Sequence, residues 1–476
     1  MANKTYSNPW AGLSSYQDPE TADIQLKFCG RDNESYDVAQ LIDENIFVTL
    51  YGKSGTGKTS LLNAGVFPRL RQEQYLPVSI RLGMDSLGIS FQQCVITQIT
   101  KALQGRGKLT TVGVVPMPDD ERSTEYLWSY FARTCFTGNG GNPIFPVIVF
   151  DQFEEVFRDR RDDAETLLRQ IHFMMDESHA LSDRMVNGQP YQYDFNFRFV
   201  VSIREDDLYR LEDAIDNCYL PDMKRCRYRL RSLTEQGARD AILIPGEGLF
   251  KEEEQKDIVD KIISKSRNED GSISTNIISL LCSRIFTYYS SISTREAYIS
   301  PALVESFLKG NPFERFYEEA TRGFSNREKS YIEDHLVDST GRRNSLPETD
   351  FLLHVKNGAA LLEGECKILQ RISTSSDGGN YRVELIHDSF CEPLERLKTK
   401  HHLRMGFKYI GCGAFMFFII IAFPVFLLRD ALTNGDDYTN KIEQNNEMLL
   451  QEIKKKDSII NEKDSIITNW AKYNGH

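Results

Sequence analysis

A lysine and a threonine that follow a glycine-rich turn are the residues whose spacing most directly indicates chemistry. Lys58 and Thr59 end the pattern Gly52-x-x-x-x-Gly57-Lys58-Thr59, between an apolar run and a predicted helix start. In such a phosphate-binding loop, backbone N–H groups face a phosphate, the lysine reaches the β- and γ-phosphates, and the threonine hydroxyl ligates Mg²⁺. The predicted nucleotide-binding residues of this loop are Gly52, Ser54, Gly55, Thr56, Gly57, Lys58, Thr59 and Ser60.

Acidic and basic groups follow two further apolar runs. Asp151 ends the first run, where a second Mg²⁺-associated acid is expected beside Thr59. Glu154 and Glu155 come next, and either carboxylate is a candidate to orient the attacking water. Arg204 ends the second run. The sequence leaves open whether Arg204 senses the γ-phosphate or forms a surface salt bridge.

An open α/β sheet is the element that must position these groups. Short, wholly apolar strands are typical of a parallel sheet with both faces covered, and ligands bind at the carboxyl ends of such strands. Residues 28–233 are therefore predicted to form a P-loop NTPase domain behind a lead segment, 1–27. Its later strands are predicted at 76–82, 146–151, 196–204 and 227–233, with helices at 89–103, 123–135 and 163–178.

Two smaller domains are predicted after the sheet. From Thr234 the pattern is helical and punctuated by prolines, which indicates a helical domain over 234–318. Two helical patterns and two strand-like runs then predict a winged-helix domain over 319–400.

An apolar segment predicts a transmembrane helix at 409–428, because about twenty residues without a charge span the hydrocarbon core of a bilayer. Basic residues precede it and aspartates follow it, so the positive-inside rule predicts a single-pass inner-membrane protein with a cytoplasmic N-terminal body. In the tail, 429–476, a heptad pattern over 441–470 predicts a short coiled coil. The alternative is a marginal, solvated helix.

Composition narrows the class of protein. The 476 residues carry a formal net charge of −12, which argues against a protein that coats nucleic acid, and no nucleic-acid partner is expected. The nine cysteines show no metal-ligand or paired spacing and are typical of reduced thiols in a cytosolic body.

The combined motifs resemble the STAND-class P-loop NTPases, most closely the group called novel STAND NTPase 1, over about residues 7–398. Besides the loop and the acidic strand, the resemblance rests on Asn8-Pro-Trp-x-Gly-Leu, Phe28-x-Gly-Arg31 and Leu385-Ile-His387-Asp388. It implies an ATP-operated switch that is closed with ADP and that opens and oligomerises with ATP. By the resemblance, Phe28, Gly30 and Arg31 lie near the adenine, and His387 holds the ADP β-phosphate. The resemblance also implies that Arg204 is the sensor residue at the end of its strand. Without it, His387 would be interpreted as a packed core histidine.

The chain departs from the usual plan of that family. It shows no enzymatic effector domain before the NTPase and no repeat array after it. Gln152 stands where an acid usually follows Asp151, which leaves the catalytic carboxylate open between Glu154 and Glu155.

The predicted function is a membrane-anchored switch that binds ATP or ADP with Mg²⁺, hydrolyses ATP slowly and forms a homo-oligomer in the ATP state. The preference for ATP over GTP comes only from the resemblance, and the trigger is not identified. Antiviral defence is the role that the resemblance implies. The alternatives are a constitutive ATPase that remodels a membrane partner and a membrane tether whose nucleotide site is structural. A transcription factor is disfavoured by the acidic charge and by the adjacent apolar segment.

Overall fold

A computed structural model describes most of the chain, which divides into two compact units, Met1–Leu397 and Lys398–His476. The described residues are 8–20, 26–86, 88–111, 115–176, 185–186, 189–190, 197–292, 298–363, 366–373, 381–400, 418–433 and 439–473.

A five-stranded parallel sheet forms the centre of residues 28–233, the NTPase module. Its strands in spatial order are β2 (Tyr75–Ile80), β5 (Phe145–Phe150), β8 (Arg198–Arg204), β1 (Phe47–Gly52) and β9 (Arg227–Arg229). All of these strands except the edge strand β9 are almost wholly buried, with apolar clusters on both faces of the sheet, which is why their sequences are apolar runs instead of alternating patterns. The predicted α/β fold is confirmed.

The register brings the predicted chemical groups to one edge of the sheet. Gly52 pairs with Arg204, and Phe150 pairs with Val201. Because all three strands are parallel, the phosphate-binding loop, Asp151 and Arg204 emerge from neighbouring carboxyl ends.

Helices cover both faces of this sheet. They are α1 (Asp32–Glu44), α2 (Lys58–Ser60), α3 (Phe67–Gln72), α4 (Leu82–Asp85), α5 (Phe91–Leu103), α6 (Tyr126–Ala132), α7 (Val156–Asp159), α8 (Arg161–Met175) and α9 (Leu208–Asn217). A π-helical segment, Leu61–Val66, joins α2 to α3. Two short antiparallel pairs lie outside the main sheet: β3 (Gly107–Thr111) with β4 (Thr134–Gly138), and β6 (Met185–Val186) with β7 (Gln189–Pro190).

One predicted helix was too long. The sequence predicted a helix at 123–135, whereas the helix ends at Ala132 and Thr134–Gly138 pairs with Gly107–Thr111. The partner strand lies about two dozen residues earlier, so local periodicity gave no signal for this pairing. The predicted strand at 227–233 also proved shorter and ends at Arg229.

The helical module follows at residues 234–318. Its helices are α10 (Glu235–Leu243), α11 (Glu252–Lys265), α12 (Thr275–Ser291), α13 (Pro301–Phe307) and α14 (Pro312–Ala320). Serine, threonine or asparagine caps four of the five, since Thr234, Ser274, Ser300 and Asn311 each accept a hydrogen bond from the first turn. These caps satisfy backbone N–H groups at the helix starts, whereas the sequence prediction rested on the helical pattern and the prolines.

The remaining part of unit 1, residues 319–397, is called the third module here. It holds α15 (Asn326–His335), α16 (Glu348–His354), α17 (Ala359–Glu363), and an antiparallel sheet in the order β10 (Leu346–Pro347), β12 (Tyr381–Leu385) and β11 (Leu369–Ser373). Residues 391–400 form a further helical segment, α18. The predicted helices and strand pair are present, while the winged-helix classification stays a prediction.

Unit 2 contains helical segments in its described part. A π-helical turn, Phe418–Ala422, leads into α19 (Phe423–Thr433), and the tail forms one long helix, α20 (Thr439–Tyr473). Within the residues that the structure describes, no helix has the length and apolar character needed to cross a membrane. The start of the predicted span, together with all of 401–417, lies outside them. Pairing of two tail helices stays a prediction.

Candidate nucleotide-binding site

The glycine-rich loop has the backbone shape that a phosphate requires. Gly55 and Gly57 adopt left-handed conformations, with φ of 77° and 90°, so the chain curls between β1 and α2. The Lys58 ammonium lies 2.9 Å from the Gly52 carbonyl oxygen inside this curl. Burial lowers the pKa of Lys58, while the carboxylates of Glu154 and Asp151 raise it. A bound phosphate would satisfy this buried cation directly.

Three oxygen-bearing side chains converge beside the loop. The Thr59 hydroxyl donates to Asp151 Oδ2 at 2.7 Å, and the Ser202 hydroxyl donates to Asp151 Oδ1 at 2.7 Å. Mg²⁺ prefers hard oxygen ligands and is commonly held by one carboxylate, a hydroxyl and substrate phosphates. This donor set fits Mg²⁺, and Ser202 orients the carboxylate from behind. The sequence analysis had given Ser202 no role.

The two glutamates that the sequence could not separate have different surroundings. Glu155 forms two hydrogen bonds to Arg81, including a 2.8 Å bond from Arg81 Nε, and it does not line the cavity. Glu154 lines the cavity and is 8% exposed, with Arg204 Nε 3.3 Å from its Oε1. Burial raises the pKa of Glu154, although Lys58 and Arg204 oppose the shift. Position therefore favours Glu154 as the carboxylate that faces a substrate.

Arg204 reaches from the sheet to the third module. Besides Glu154, its guanidinium contacts the carboxylate of Asp388. Asp388 also accepts a 2.8 Å hydrogen bond from the Ser54 hydroxyl of the phosphate-binding loop and a 2.8 Å bond from Arg343 Nε. Burial raises the pKa of Asp388, but Arg343 and Arg204 outweigh it and hold the pKa well below its usual range. The carboxylate is thus ionised and joins the two modules.

His387 lies next to the loop as well. Its Cε1 is 3.4 Å from the position that a Cβ on Gly55 would take. Its Nδ1 accepts a hydrogen bond from the Ser389 backbone N–H at 3.1 Å, so the proton of the neutral ring is on Nε2. Burial lowers the pKa of His387 to about 4, and the ring is neutral near pH 7. A neutral ring with a free Nε2–H is a suitable donor to a phosphate oxygen.

Of the three residues predicted near the base, Phe28 and Arg31 line the cavity. Phe28 packs edge-to-face on Tyr16, with ring centroids 5.3 Å apart. Arg31 is 4% exposed and donates to the backbone carbonyl oxygen of Thr56, so it also braces the loop. Gly30 has a φ of 82°, and a Cβ there would lie 2.1 Å from the Gly237 carbonyl oxygen. Glycine is required at this close approach.

The amino-terminal segment 8–20 forms one wall of the cavity, a role that sequence reasoning missed. Asn8 donates to Ser283 of α12, and Trp10 Nε1 donates to the Ala241 carbonyl oxygen at 3.0 Å. Farther along, the Tyr16 backbone N–H donates to Ser60 Oγ at 3.1 Å. The segment therefore links the helical module to the helix that follows the loop. The Asn8-Pro-Trp motif was noticed in the sequence but had no assigned role.

The enclosed space has the dimensions of a small-molecule site. The cavity measures about 500 Å³ and is lined by the loop, the segment 8–20 and both later modules. Asn276, at the start of α12, faces the loop opposite His387. Pockets of about 300–1,000 Å³ are typical of sites for nucleotide-sized ligands.

The family model described as Novel STAND NTPase 1 matches residues 9–298, which is more than half of the chain and includes every site residue before the third module. The chain belongs to the novel STAND NTPase 1 family. It is therefore a P-loop NTPase of the STAND type, and nucleotide binding follows from its membership. No curated protein sequence matches the chain.

Several solved structures resemble this family member over most of its length. The ORC1 protein of Aeropyrum pernix, solved in complex with DNA, is 13% identical, with a TM-score of 0.39, and the match covers 78% of this chain and 93% of that chain. Cdc6p of Pyrobaculum aerophilum is 15% identical, covers 81% and 97%, and has a TM-score of 0.38. A Walker-type ATPase of Pyrococcus abyssi is 13% identical, covers 80% and 98%, and has a TM-score of 0.37. Structural similarity at this level gives no information about the ligands or partners of this chain.

Proposed function

We propose that this novel STAND NTPase 1 member is an ATP-operated switch whose third module covers the NTPase site in the ADP state and leaves it in the ATP state. The observation that carries the proposal is the position of Asp388. Its carboxylate engages Ser54 of the phosphate-binding loop and Arg204 of the sheet together. The contacts of a carboxylate in this position would depend directly on which nucleotide the loop binds.

The nucleotide changes the charge at this contact. His387 and Lys58 would hold the β-phosphate of ADP, which leaves the Asp388 contact intact. A γ-phosphate would bring further negative charge toward Ser54 and Arg204, the partners that Asp388 uses. Two anionic groups that share one guanidinium repel each other, so the γ-phosphate favours the state in which the third module has left.

Mg²⁺ is part of the proposed ATP state. Thr59 and Asp151 would hold the ion, with Ser202 behind the carboxylate. When bound, the ion neutralises charge that develops on the phosphate oxygens. Glu154 would accept the proton of the attacking water, and Arg204, once free of Asp388, would contact the γ-phosphate.

The oligomeric and membrane parts of the proposal rest on unit 2. The uncharged segment 409–428 has the length of a bilayer span, and the stripe of apolar residues along Thr439–Tyr473 is typical of a self-pairing helix. Opening of the cytoplasmic modules would then cluster the spans and tails. Carbonate extraction of membranes tests the anchor, because the full chain stays in the pellet and a chain that ends at Leu397 does not.

Particle mass tests the switch. The full chain in detergent would be measured with Mg-ADP and with a non-hydrolysable ATP analogue, beside a Lys58→Ala variant. The expected result is growth to a defined oligomer with the ATP analogue only, and no growth in the variant. Equal masses with the two nucleotides, together with fast and steady ATP hydrolysis, would indicate a constitutive ATPase instead of a switch. Equal masses of the wild type with both nucleotides, together with a localisation and a biological role that Lys58→Ala keeps, would support a tether with a structural nucleotide site.

A role in antiviral defence is the proposed biological setting, and it rests on the family alone. Cells that carry the chain would be infected with phage and plaques counted. Protection that disappears in Lys58→Ala supports the role, and protection that the variant keeps contradicts it.

A further inference from the structure

Gln152 has an unusual backbone conformation at the edge of the cavity. It follows Asp151 with φ of 54° and ψ of 45°, the left-handed region that side chains other than glycine rarely adopt. Among the described residues, Gln74 and Tyr219 are the other non-glycine residues with positive φ, and both are exposed. Gln152 alone of these three lines the cavity. Strained residues of this kind cluster at functional sites.

The side chain of Gln152 also has an unsatisfied acceptor. Its Oε1 is shielded from solvent and accepts no hydrogen bond from any of the described residues. Buried amide oxygens almost always have a partner, because leaving one unpaired costs free energy. A rotation of the side chain toward the cavity would relieve that cost as soon as a ligand or its water offered a donor.

The neighbouring carboxylates are already engaged. Glu155 is held by Arg81 outside the cavity, and Glu154 is paired with Arg204. An amide differs from both because it carries an acceptor and two donors and has no charge. It can accept a hydrogen bond from a water while it donates one to a phosphate oxygen, and it does not repel the phosphate.

We propose that Gln152 positions the water that attacks the γ-phosphate, with Oε1 accepting a hydrogen bond from the water and Nε2 donating to a γ-phosphate oxygen. This inference rests on the proposed ATP hydrolysis. The water oxygen forms a bond to the γ-phosphorus, and the bond from that phosphorus to the β–γ bridging oxygen breaks. ADP leaves with the electron pair, and the water proton passes to the Glu154 carboxylate. The products are ADP and inorganic phosphate.

The conformation supplies an experiment with a matched control. Gln152→Gly removes the amide and relieves the backbone strain, so the fold is kept or stabilised. Gln74→Gly makes the same chemical change at a φ of 66°, on an exposed turn away from the cavity. The full chain in detergent would be assayed for ATP hydrolysis, for KM, for ADP affinity and for the unfolding midpoint. Gln152→Asn, which keeps an amide but is one methylene shorter, is the second variant.

The proposal predicts that the Gln152 variants lose turnover but keep nucleotide binding. Gln152→Gly and Gln152→Asn should lower kcat about 100-fold, with KM and ADP affinity within about twofold of the wild type. Gln74→Gly should leave kcat unchanged, and both glycine variants should unfold at the wild-type temperature or above it.

Three results would overturn this assignment. One is a kcat of Gln152→Gly within about threefold of the wild type. Another is an equal loss of ADP affinity, which would make Gln152 a structural part of the binding site. The third is wild-type hydrolysis no faster than that of Lys58→Ala, in a protein that binds ADP. A wild-type chain that binds no nucleotide would instead refute the proposed function itself.

Discussion

Replacing the Asp388 carboxylate with an amide should release the third module from the NTPase site. The side chain makes three polar contacts, to Arg204, Arg343 and Ser54. Asp388→Asn keeps the shape and an oxygen for Ser54 but removes the charge that the two guanidinium groups share. The variant therefore tests the ion pairs separately from the packing.

The magnitude follows from the burial of the partners. Asp388 is 22% exposed at its side chain, and Arg204 and Arg343 are 15% and 13% exposed. Partly buried, charge-assisted contacts are worth more than surface pairs but less than fully buried ones. Their loss should cost the closed state about 2–3 kcal/mol, which is about a 30- to 140-fold shift of the equilibrium toward the open state.

Release of a fluorescent ADP analogue, followed by stopped flow, measures this shift. If the covering module limits exit, the release rate should rise by the same factor. Glu392→Gln is the matched control, since it neutralises a carboxylate that is 73% exposed and forms an ion pair with Arg396 of the same helix. Its release rate should equal that of the wild type.

A release rate of Asp388→Asn within about twofold of the wild type would refute the reasoning, provided that the variant binds ADP and unfolds cooperatively. It would mean that the contact between Asp388 and Arg204 contributes nothing to closure. The switch would then need a different covering element.

Three further predictions concern single residues. The pKa of His387 falls from about 6.5 in the unfolded chain to about 4 in the folded one, so protonation favours unfolding. The free energy of unfolding should therefore drop by about 1–3 kcal/mol as the pH falls from about 6.5 to about 4. Urea titrations should show a flatter pH profile of stability for His387→Gln. Thr59→Val should weaken nucleotide binding about 10- to 100-fold in Mg²⁺ but leave binding in EDTA unchanged, as measured by calorimetry. Gly30→Ala should destabilise the chain by at least about 2 kcal/mol more than Gly105→Ala in thermal unfolding. Both glycines have positive φ, but only at Gly30 would an added Cβ clash with the carbonyl oxygen of Gly237. Equal losses of stability in the two variants would contradict this close approach.

Local signals allowed much of the fold to be predicted. The strands Tyr75–Ile80 and Phe145–Phe150 and the helix Phe91–Leu103 lie within two residues of their predicted bounds. Each is set by neighbouring residues, through caps, prolines and apolar periodicity. The β3–β4 pairing was missed because it depends on a partner strand and on no local pattern.

The chemistry of the loop was encoded in the same way. Glycines at fixed spacing, a lysine and a threonine suffice to build a phosphate site, because the loop, its strand and its helix are contiguous in the chain. The sequence by itself therefore determined that the protein is a nucleotide-binding P-loop NTPase, and it predicted which residues hold the phosphate.

Tertiary structure decided which groups face that phosphate. The choice between Glu154 and Glu155 depended on Arg81, more than seventy residues away, and the partner of Arg204 proved to be Asp388, 184 positions later. The wall formed by residues 8–20 is likewise fixed by Asn8, which contacts Ser283 at a separation of 275 residues. Charge pairing and burial depend on which residues are close in space. The separation of two residues along the chain does not give their distance in the folded protein, so these contacts could not be predicted from the sequence.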